Sequence, residues 1–125
     1  MSWKSKPGRS DLDAAFRYLS LLNRSEDATT LVQGLRTART CEHAAKDLLR
    51  ASALPLLARD ESQVATDLKR IRKARPLPPV LLIRGAMAQG VPVTVADGYH
   101  RICAVYYYDE DAPIACRIVS AQPGS

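Results

Sequence analysis

Apolar residues recur every three or four positions over the first part of the chain, the spacing of one face of an α-helix. A first helix is predicted from Ser10, which can cap it, and a second from Ser25. A third is predicted to open at Thr40 and to run to about residue 52. The apolar positions behind these predictions are Leu12, Phe16, Leu19, Leu31, Val32, Leu35, Leu48 and Leu49. Residues 1–9 lack the pattern and are expected to be disordered.

A fourth helix is predicted after residue 59. Asp60 followed by Gln63 resembles a capping box, and Val64, Leu68 and Ile71 then share one helix face. Basic residues crowd the second half of this helix, namely Lys69, Arg70, Arg72, Lys73 and Arg75. Cations are favoured at a helix C-terminus, which makes a solvated helix end the plainer interpretation. A footprint for nucleic acid or phosphate is the alternative.

Strand-length apolar runs replace the helical spacing in the second half of the chain. Residues 80–83 and 93–96 are predicted to form an antiparallel hairpin with a long connection. Residues 114–119, rich in β-branched side chains, are predicted to form the last strand. A helix over residues 99–108 is predicted between the hairpin and this strand. Helices followed by strands around one helix indicate an α+β fold with a small mixed sheet.

Length and composition indicate one folded domain. A chain of 125 residues is too short for two stable cores, and 46% hydrophobic with 25% charged residues is the balance of a folded protein. A helical N-terminal segment over residues 10–52 is expected to pack on the core of a domain over residues 53–121. Residues 122–125 are expected to be loose.

Charge and hydropathy narrow the setting. No apolar run approaches the roughly 18–20 residues that span a bilayer, and the polar N-terminus lacks a secretory signal. A cytoplasmic protein without a membrane partner is therefore expected. The net charge of +5 would attract polyanions, nucleotides included, but it does not choose between them.

The cysteines do not form a recognisable spacing motif. Cys41, Cys103 and Cys116 are widely separated, and only His43 and His100 are present to assist them. Neither a disulfide framework nor a structural zinc site is indicated. Reduced thiols and no metal site are expected.

The stretch over residues 95–101 carries the most chemistry. A predicted strand ends at Asp97, Gly98 allows a tight turn, and a helix begins at once. The first amides of a helix have no internal partner, and with the helix dipole they form an anion site. His100 and Arg101 are disfavoured by that dipole unless a bound anion compensates them. The plainer alternatives are a capping role for Asp97, a structural His100 and an ion-paired Arg101.

The sequence Asp-Gly-x-His-Arg after a strand, preceded by a basic helix and followed by a helix and a strand, resembles the ParB N-terminal/sulfiredoxin superfamily. The resemblance covers roughly residues 54–119. It implies a nucleotide or phosphate pocket between two elements. The residues that it places there are Gly98, Tyr99, His100 and Arg101 in the turn, and Gln63, Thr66 and Arg70 in the preceding helix.

Two branches of that superfamily fit this chain poorly. Sulfiredoxins resemble it in Gly-x-His-Arg but carry their reactive cysteine where this chain has Tyr99, and a phenol does not replace a thiolate nucleophile. Chromosome-partition proteins add a helix-turn-helix domain and a dimerisation tail after this fold. This sequence ends within about six residues of the last predicted strand, so DNA segregation is not expected. Free serine kinases are similar as well, and they imply phosphoryl transfer with Asp97 and a second acid, for which Asp60 and Glu61 are the candidates.

The predicted function is a nucleotide- or phosphate-binding protein that uses ATP or another nucleotide, with or without Mg²⁺, in phosphoryl transfer or hydrolysis. Asp97 and His100 are its predicted catalytic residues, and the expected partner is a nucleotide or phosphorylated small molecule. Two alternatives stay open. One is a non-catalytic regulatory or adaptor module whose N-terminal helices dock a partner. The other is a DNA-binding or DNA-nicking protein that uses the basic residues 69–75.

Overall fold

The computed structural model of the protein describes residues 1–121, and the expected loose tail over residues 122–125 lies outside that part. The described residues confirm the α+β class, with five α-helices around one four-stranded sheet. The helices are α1 (Arg9–Leu19), α2 (Ser25–Thr37), α3 (Ala45–Ser52), α4 (Ser62–Arg72) and α5 (Tyr99–Tyr108). The strands are β1 (Cys41–Ala44), β2 (Val80–Arg84), β3 (Thr94–Asp97) and β4 (Pro113–Ser120). None of these helices is long and apolar enough to cross a membrane.

The sheet is mixed and has the strand order β1-β4-β2-β3. β2 and β3 form the predicted antiparallel hairpin, whose long connection contains a short 3-10 helix over Met87–Gln89. β4 lies inside the sheet, parallel to β2 and antiparallel to β1. β1 and β3 are therefore the edges of the sheet, and β3 leads directly into α5.

The two faces of the sheet are covered by different helices. Val80 and Leu82 of β2 belong to a core built with α3, α4 and α5, whereas the alternating Leu81 and Ile83 belong to a core built with α1 and α2. All four side chains are at most 5% exposed. The chain thus forms three layers with the sheet in the middle, and the N-terminal helices are one of the two outer layers.

The predicted third helix is wrong at its start. Residues 41–44 form the edge strand β1, in which Cys41 lies opposite Cys116 and His43 lies opposite Ile114 of β4. The helix that follows, α3, begins only at Ala45. Local sequence did not reveal this strand because its stability comes from pairing with a distant segment. The N-terminal segment over residues 10–52 is therefore not purely helical.

Two helix caps differ from their predicted positions, by two residues at α1, where Gly8 is the N-cap, and by one residue at α4. The amide of Gly8 donates to the Asp11 carboxylate at 2.8 Å, and Ser10 lies inside α1. Glu61, not Asp60, caps α4, because its backbone is extended and its carboxylate accepts from the first amides of that helix. α1 and α4 themselves lie where the apolar spacing predicts them.

The expected disorder over residues 1–9 does not describe the N-terminus. Trp3 forms an isolated parallel bridge with Leu77, in which the Leu77 amide donates to the Ser2 carbonyl at 3.0 Å and the Lys4 amide donates to the Leu77 carbonyl at 2.8 Å. Leu77 is fully buried and the Trp3 ring packs against the same core. These backbone bonds tie the first residues to the segment between α4 and β2.

A buried arginine on β4 fastens the N-terminal layer to the sheet. Arg117 is 8% exposed and donates to the carbonyls of Leu35 at 3.3 Å and of Arg36 in the last turn of α2. It also donates to the Ser5 carbonyl at 3.2 Å and to the Thr40 hydroxyl at 3.3 Å. The negative end of the α2 dipole thus compensates the guanidinium.

Candidate functional site

A cavity of about 300 Å³ lies where the β3–α5 turn meets α4. It is lined by Gln63, Thr66, Asp67, Arg70, Asp97, Gly98, His100 and Arg101. Every predicted site residue except Tyr99 lines this cavity. The structure therefore brings together two segments, one on α4 and one at the start of α5, that only the family resemblance had associated.

The turn at the base of the cavity requires glycine. Gly98 has φ of 112°, in the region that side chains rarely adopt. A Cβ there would lie 2.7 Å from Nη1 of Arg101 and 2.9 Å from Cγ2 of Val80. Gly98 therefore permits both the sharp strand-to-helix turn and the close approach of Arg101.

The N-terminus of α5 presents free amides. Its first internal hydrogen bond runs from the Ile102 amide to the Gly98 carbonyl at 2.9 Å, and no side chain caps the helix. Asp97 therefore does not have the capping role that was the plainer alternative. The amides of residues 99–101 have no acceptor within α5 and form the kind of site that binds an anion.

Arg101 is held between two carboxylates. Its side chain is 12% exposed, and its Nη2 lies 3.7 Å from Oδ1 of Asp11 and 3.7 Å from Oδ2 of Asp97. Nη1 also donates to the Pro79 carbonyl at 3.4 Å. The ion pair is thus part of the site and includes α1, which the sequence did not indicate. Since Arg101 lines the cavity, an anion bound in the cavity would contact the same guanidinium as these two carboxylates.

Asp97 is a buried carboxyl with an unsatisfied oxygen. Its Oδ2 is inaccessible to solvent and has no hydrogen-bond partner in the described part of the chain, because Arg101 is too far away for a hydrogen bond. Burial raises the pKa of Asp97 to about 6, although Arg101 partly opposes this shift. A group with such a pKa can exchange a proton near neutral pH.

His100 is paired with the cap of α4. Its Nε2 lies 3.6 Å from Oε2 of Glu61. Glu61 in turn accepts from the amides of Gln63 at 3.0 Å and Val64 at 3.2 Å. The hydrogen bond from the Gln63 amide is the main cause that lowers the pKa of Glu61, and His100 adds to it. Of the two candidate second acids, Glu61 is the one that contacts the site.

Asp67 is a cavity residue that the sequence reasoning missed. It lies on α4 with Oδ1 3.4 Å from Nη1 of Arg70, and burial raises its pKa. Gln63 is four positions and Arg70 three positions away from it, on the same helix face. That spacing was the signal that could have found it.

Tyr99 has a structural role. Its hydroxyl donates to the carbonyl of Pro55, and its side chain does not line the cavity. Tyr107 makes a similar bond to the carbonyl of Leu57 at 2.7 Å. The two phenols fix the loop before α4, so the Tyr99 side chain contacts that loop, and only the Tyr99 amide at the start of α5 could contact an anion in the cavity.

No protein-family model, no curated protein and no solved structure matches the chain. The similarity to the ParB N-terminal/sulfiredoxin superfamily therefore stays a hypothesis that rests on the motif and its order in the chain.

The raised pKa of Asp97 predicts a pH-dependent effect of Asp97→Asn on stability. The folded protein holds the Asp97 proton more tightly than the unfolded chain, whose carboxyl has the ordinary value of 3.8. The stability contributed by this carboxyl is therefore present below pH 4 and is lost as pH rises through about 6. Asn does not titrate. Between pH 4 and pH 7 the free energy of unfolding of the variant should therefore rise relative to that of the wild type by up to about 3 kcal/mol.

Urea unfolding at several pH values measures this difference. Asp13→Asn, at an exposed carboxyl on α1, is the control and should give a difference that does not change with pH. A flat profile for Asp97→Asn would contradict the conclusion that burial outweighs the Arg101 charge at this carboxyl.

Proposed function

We propose that the cavity binds the phosphate of a nucleotide or another phosphorylated small molecule and that Asp97 serves in phosphoryl transfer or hydrolysis. The observation that carries this proposal is the convergence of the uncapped α5 N-terminus with two arginine side chains and one histidine side chain on one cavity. Those side chains are Arg70, His100 and Arg101. Backbone amides at a helix N-terminus combined with arginine are the usual means of binding phosphate.

The cavity favours recognition of phosphate over recognition of a base. Its volume of about 300 Å³ is at the lower end for ligand pockets. All its lining side chains are polar or charged, and Gly98 adds backbone only. A purine would need an apolar or aromatic wall to stack against. The base or sugar of a nucleotide would therefore lie towards solvent, and ATP, other nucleotides and simple phosphate esters share the recognised group.

The acidic residues of the cavity define what chemistry it can support. Asp97 lines the cavity and has a pKa of about 6, which suits a group that accepts a proton from a hydroxyl or a water molecule. His100 can donate to a phosphate oxygen, and its contact with Glu61 orients the ring. Carboxylate oxygens also suit Mg²⁺, so Asp67 and Asp97 would hold an ion that neutralises phosphate charge.

Arg70 is the best position at which to test binding. It is exposed and its contact with Asp67 is on the same helix, so its removal should not disturb the core. Arg101→Ala is less suitable because it would leave two buried carboxylates without their cation. Arg72→Ala is the matched control, since Arg72 is exposed on the same helix and does not line the cavity.

Calorimetry and thermal shift with inorganic phosphate, pyrophosphate, ATP, ADP, CTP and GTP, each with and without Mg²⁺, measure the binding. Arg70→Ala should weaken the best ligand by roughly tenfold or more, the value of one charge-assisted hydrogen bond of about 1.5 kcal/mol. Arg72→Ala should bind like the wild type. Equal losses in both variants would indicate general attraction by the basic helix, and no binding by the wild type would overturn the proposal.

Turnover separates the catalytic part of the proposal from the binding part. Asp97→Asn should keep most of the affinity and lose phosphate release or transfer. Binding of the wild type without turnover above that of Asp97→Asn would leave a ligand-binding regulatory module, the non-catalytic alternative.

A further inference from the structure

A second group of chemically active side chains lies on the β1–β4 edge of the sheet, away from the cavity. The sulfur atoms of Cys41 and Cys116 and a ring nitrogen of His43 all lie within 4.8 Å of one another. Two of the three cysteines, which have no spacing motif in the sequence, thus lie beside one of the two histidines. Cys103, the third cysteine, is buried in α5 and is not part of the group.

The strand register explains why these three side chains meet. Cys41 and Cys116 are directly opposite in the antiparallel pair β1–β4, which places both thiols on the same face of the sheet. His43 is two residues after Cys41, so its side chain lies on that face as well. The two cysteines are 75 positions apart in the chain. No spacing motif could reveal the group, because only the unpredicted strand β1 assembles it.

We propose that Cys41, His43 and Cys116 form a Zn²⁺ site with an open fourth coordination position. Thiolate sulfur and imidazole nitrogen are the preferred protein ligands of Zn²⁺, and two thiolates offset its charge. Zinc bonds of about 2.3 Å to sulfur and 2.0 Å to nitrogen place tetrahedral ligand atoms about 3.5–3.8 Å apart. The present separations exceed this by no more than about 1 Å, which small side-chain rotations on an edge strand can close.

Burial around the three ligands fits a site that is closed on one side only. Cys116 is fully buried, Cys41 is half-buried and His43 is exposed. Cys41 and His43 line a cavity of about 590 Å³ at the surface. The open coordination position would face this cavity and hold water, the arrangement found when zinc has three protein ligands.

The thiols are reduced and their present hydrogen bonds are weak ones. Cys41 Sγ donates to the Cys116 carbonyl at 3.5 Å, and Cys116 Sγ donates to the Ile114 carbonyl at 3.2 Å. Thiols are poor donors, so little hydrogen-bond stabilisation is lost when a metal replaces their protons. The bound ion would cross-link the edge strand β1 to β4, and it should therefore raise the melting temperature of the whole domain.

The test titrates the reduced full-length protein with Zn²⁺, and with Co²⁺ as a spectroscopic probe. The wild type should bind one equivalent of either ion, melt at a higher temperature with it, and show thiolate-to-cobalt charge-transfer absorption. Changing groups behind the ligands of a zinc site costs 10–100-fold in affinity, so Cys41→Ser and His43→Gln, which remove ligands, should each cost at least about 100-fold. Both positions are on the edge strand, where His43 is exposed and Cys41 is half-buried, and Cys41→Ser changes only the sulfur atom to oxygen.

Cys103→Ala is the matched control because it removes a thiol from outside the group. It should bind Zn²⁺ like the wild type. The proposal is overturned if the wild type binds no tighter than Cys41→Ser, if Cys103→Ala loses the same affinity, or if the cobalt complex lacks the charge-transfer band. The result is independent of the phosphate cavity, so His43→Gln should bind phosphate ligands unchanged.

Discussion

A chain that lacks residues 1–37 is expected not to fold. Without α1 and α2, the sheet face that carries Leu81 and Ile83 would be open to water. The two helices contribute five large buried side chains, namely Leu12, Leu19, Leu31, Val32 and Leu35. At about 1.5–3 kcal/mol each, their burial is comparable with the whole net stability of a small domain, about 5–15 kcal/mol. Far-UV circular dichroism and the solubility of the shortened chain check this expectation.

Single substitutions in the full chain give an independent measurement of the same layer. Leu35→Asp places a charge at a fully buried position of α2 and should abolish cooperative unfolding. Leu21→Asp, at a side chain that is 82% exposed, is the control and should unfold like the wild type. A shortened chain that unfolds cooperatively would contradict this expectation, since it would show that residues 38–121 fold without α1 and α2.

Replacement of Arg117 by methionine is expected to cost about 3 kcal/mol or more of unfolding free energy. Methionine fills a similar volume but donates no hydrogen bonds. The buried Leu35 carbonyl would lose the donor that Arg117 supplies, as would the part-buried contacts to the carbonyls of Ser5 and Arg36, and an unsatisfied buried group costs about 1–3 kcal/mol.

Urea denaturation of Arg117→Met and Arg36→Met measures this loss. The Arg36 side chain is exposed on α2, so Arg36→Met should change the unfolding free energy by less than about 0.5 kcal/mol. Equal values for the two variants would mean that the hydrogen bonds of Arg117 add nothing to stability beyond those that water would supply.

The parts of the fold that could be predicted are those with a local signal. The bounds of α5 were predicted correctly, because a strand, Gly98 and an apolar stripe follow one another without interruption. The hairpin of β2 and β3 was predicted for a similar reason. β1 was missed, because a four-residue edge strand has too few positions to show alternation and is stabilised by its partner in β4.

The residues of the candidate site also separate into those with a local sequence signal and those without one. Gly98, His100 and Arg101 come from one contiguous motif, and all three line the cavity. Asp11 was not found, because it reaches Arg101 from α1 at the other end of the chain. Arg117 gave no signal either, since a basic residue within a strand is ordinary until its carbonyl partners are known.

The position of β4 in the sheet has a consequence for synthesis of the protein. β4 pairs with both β1 and β2, yet it follows every other described element along the chain. Until β4 has been synthesised and has left the ribosome, β1 has no partner strand and β2 can pair only with β3. The apolar residues of α1, α2 and β2 therefore cannot pack on the complete sheet before β4 is available. The sheet is complete only after translation has passed residue 120.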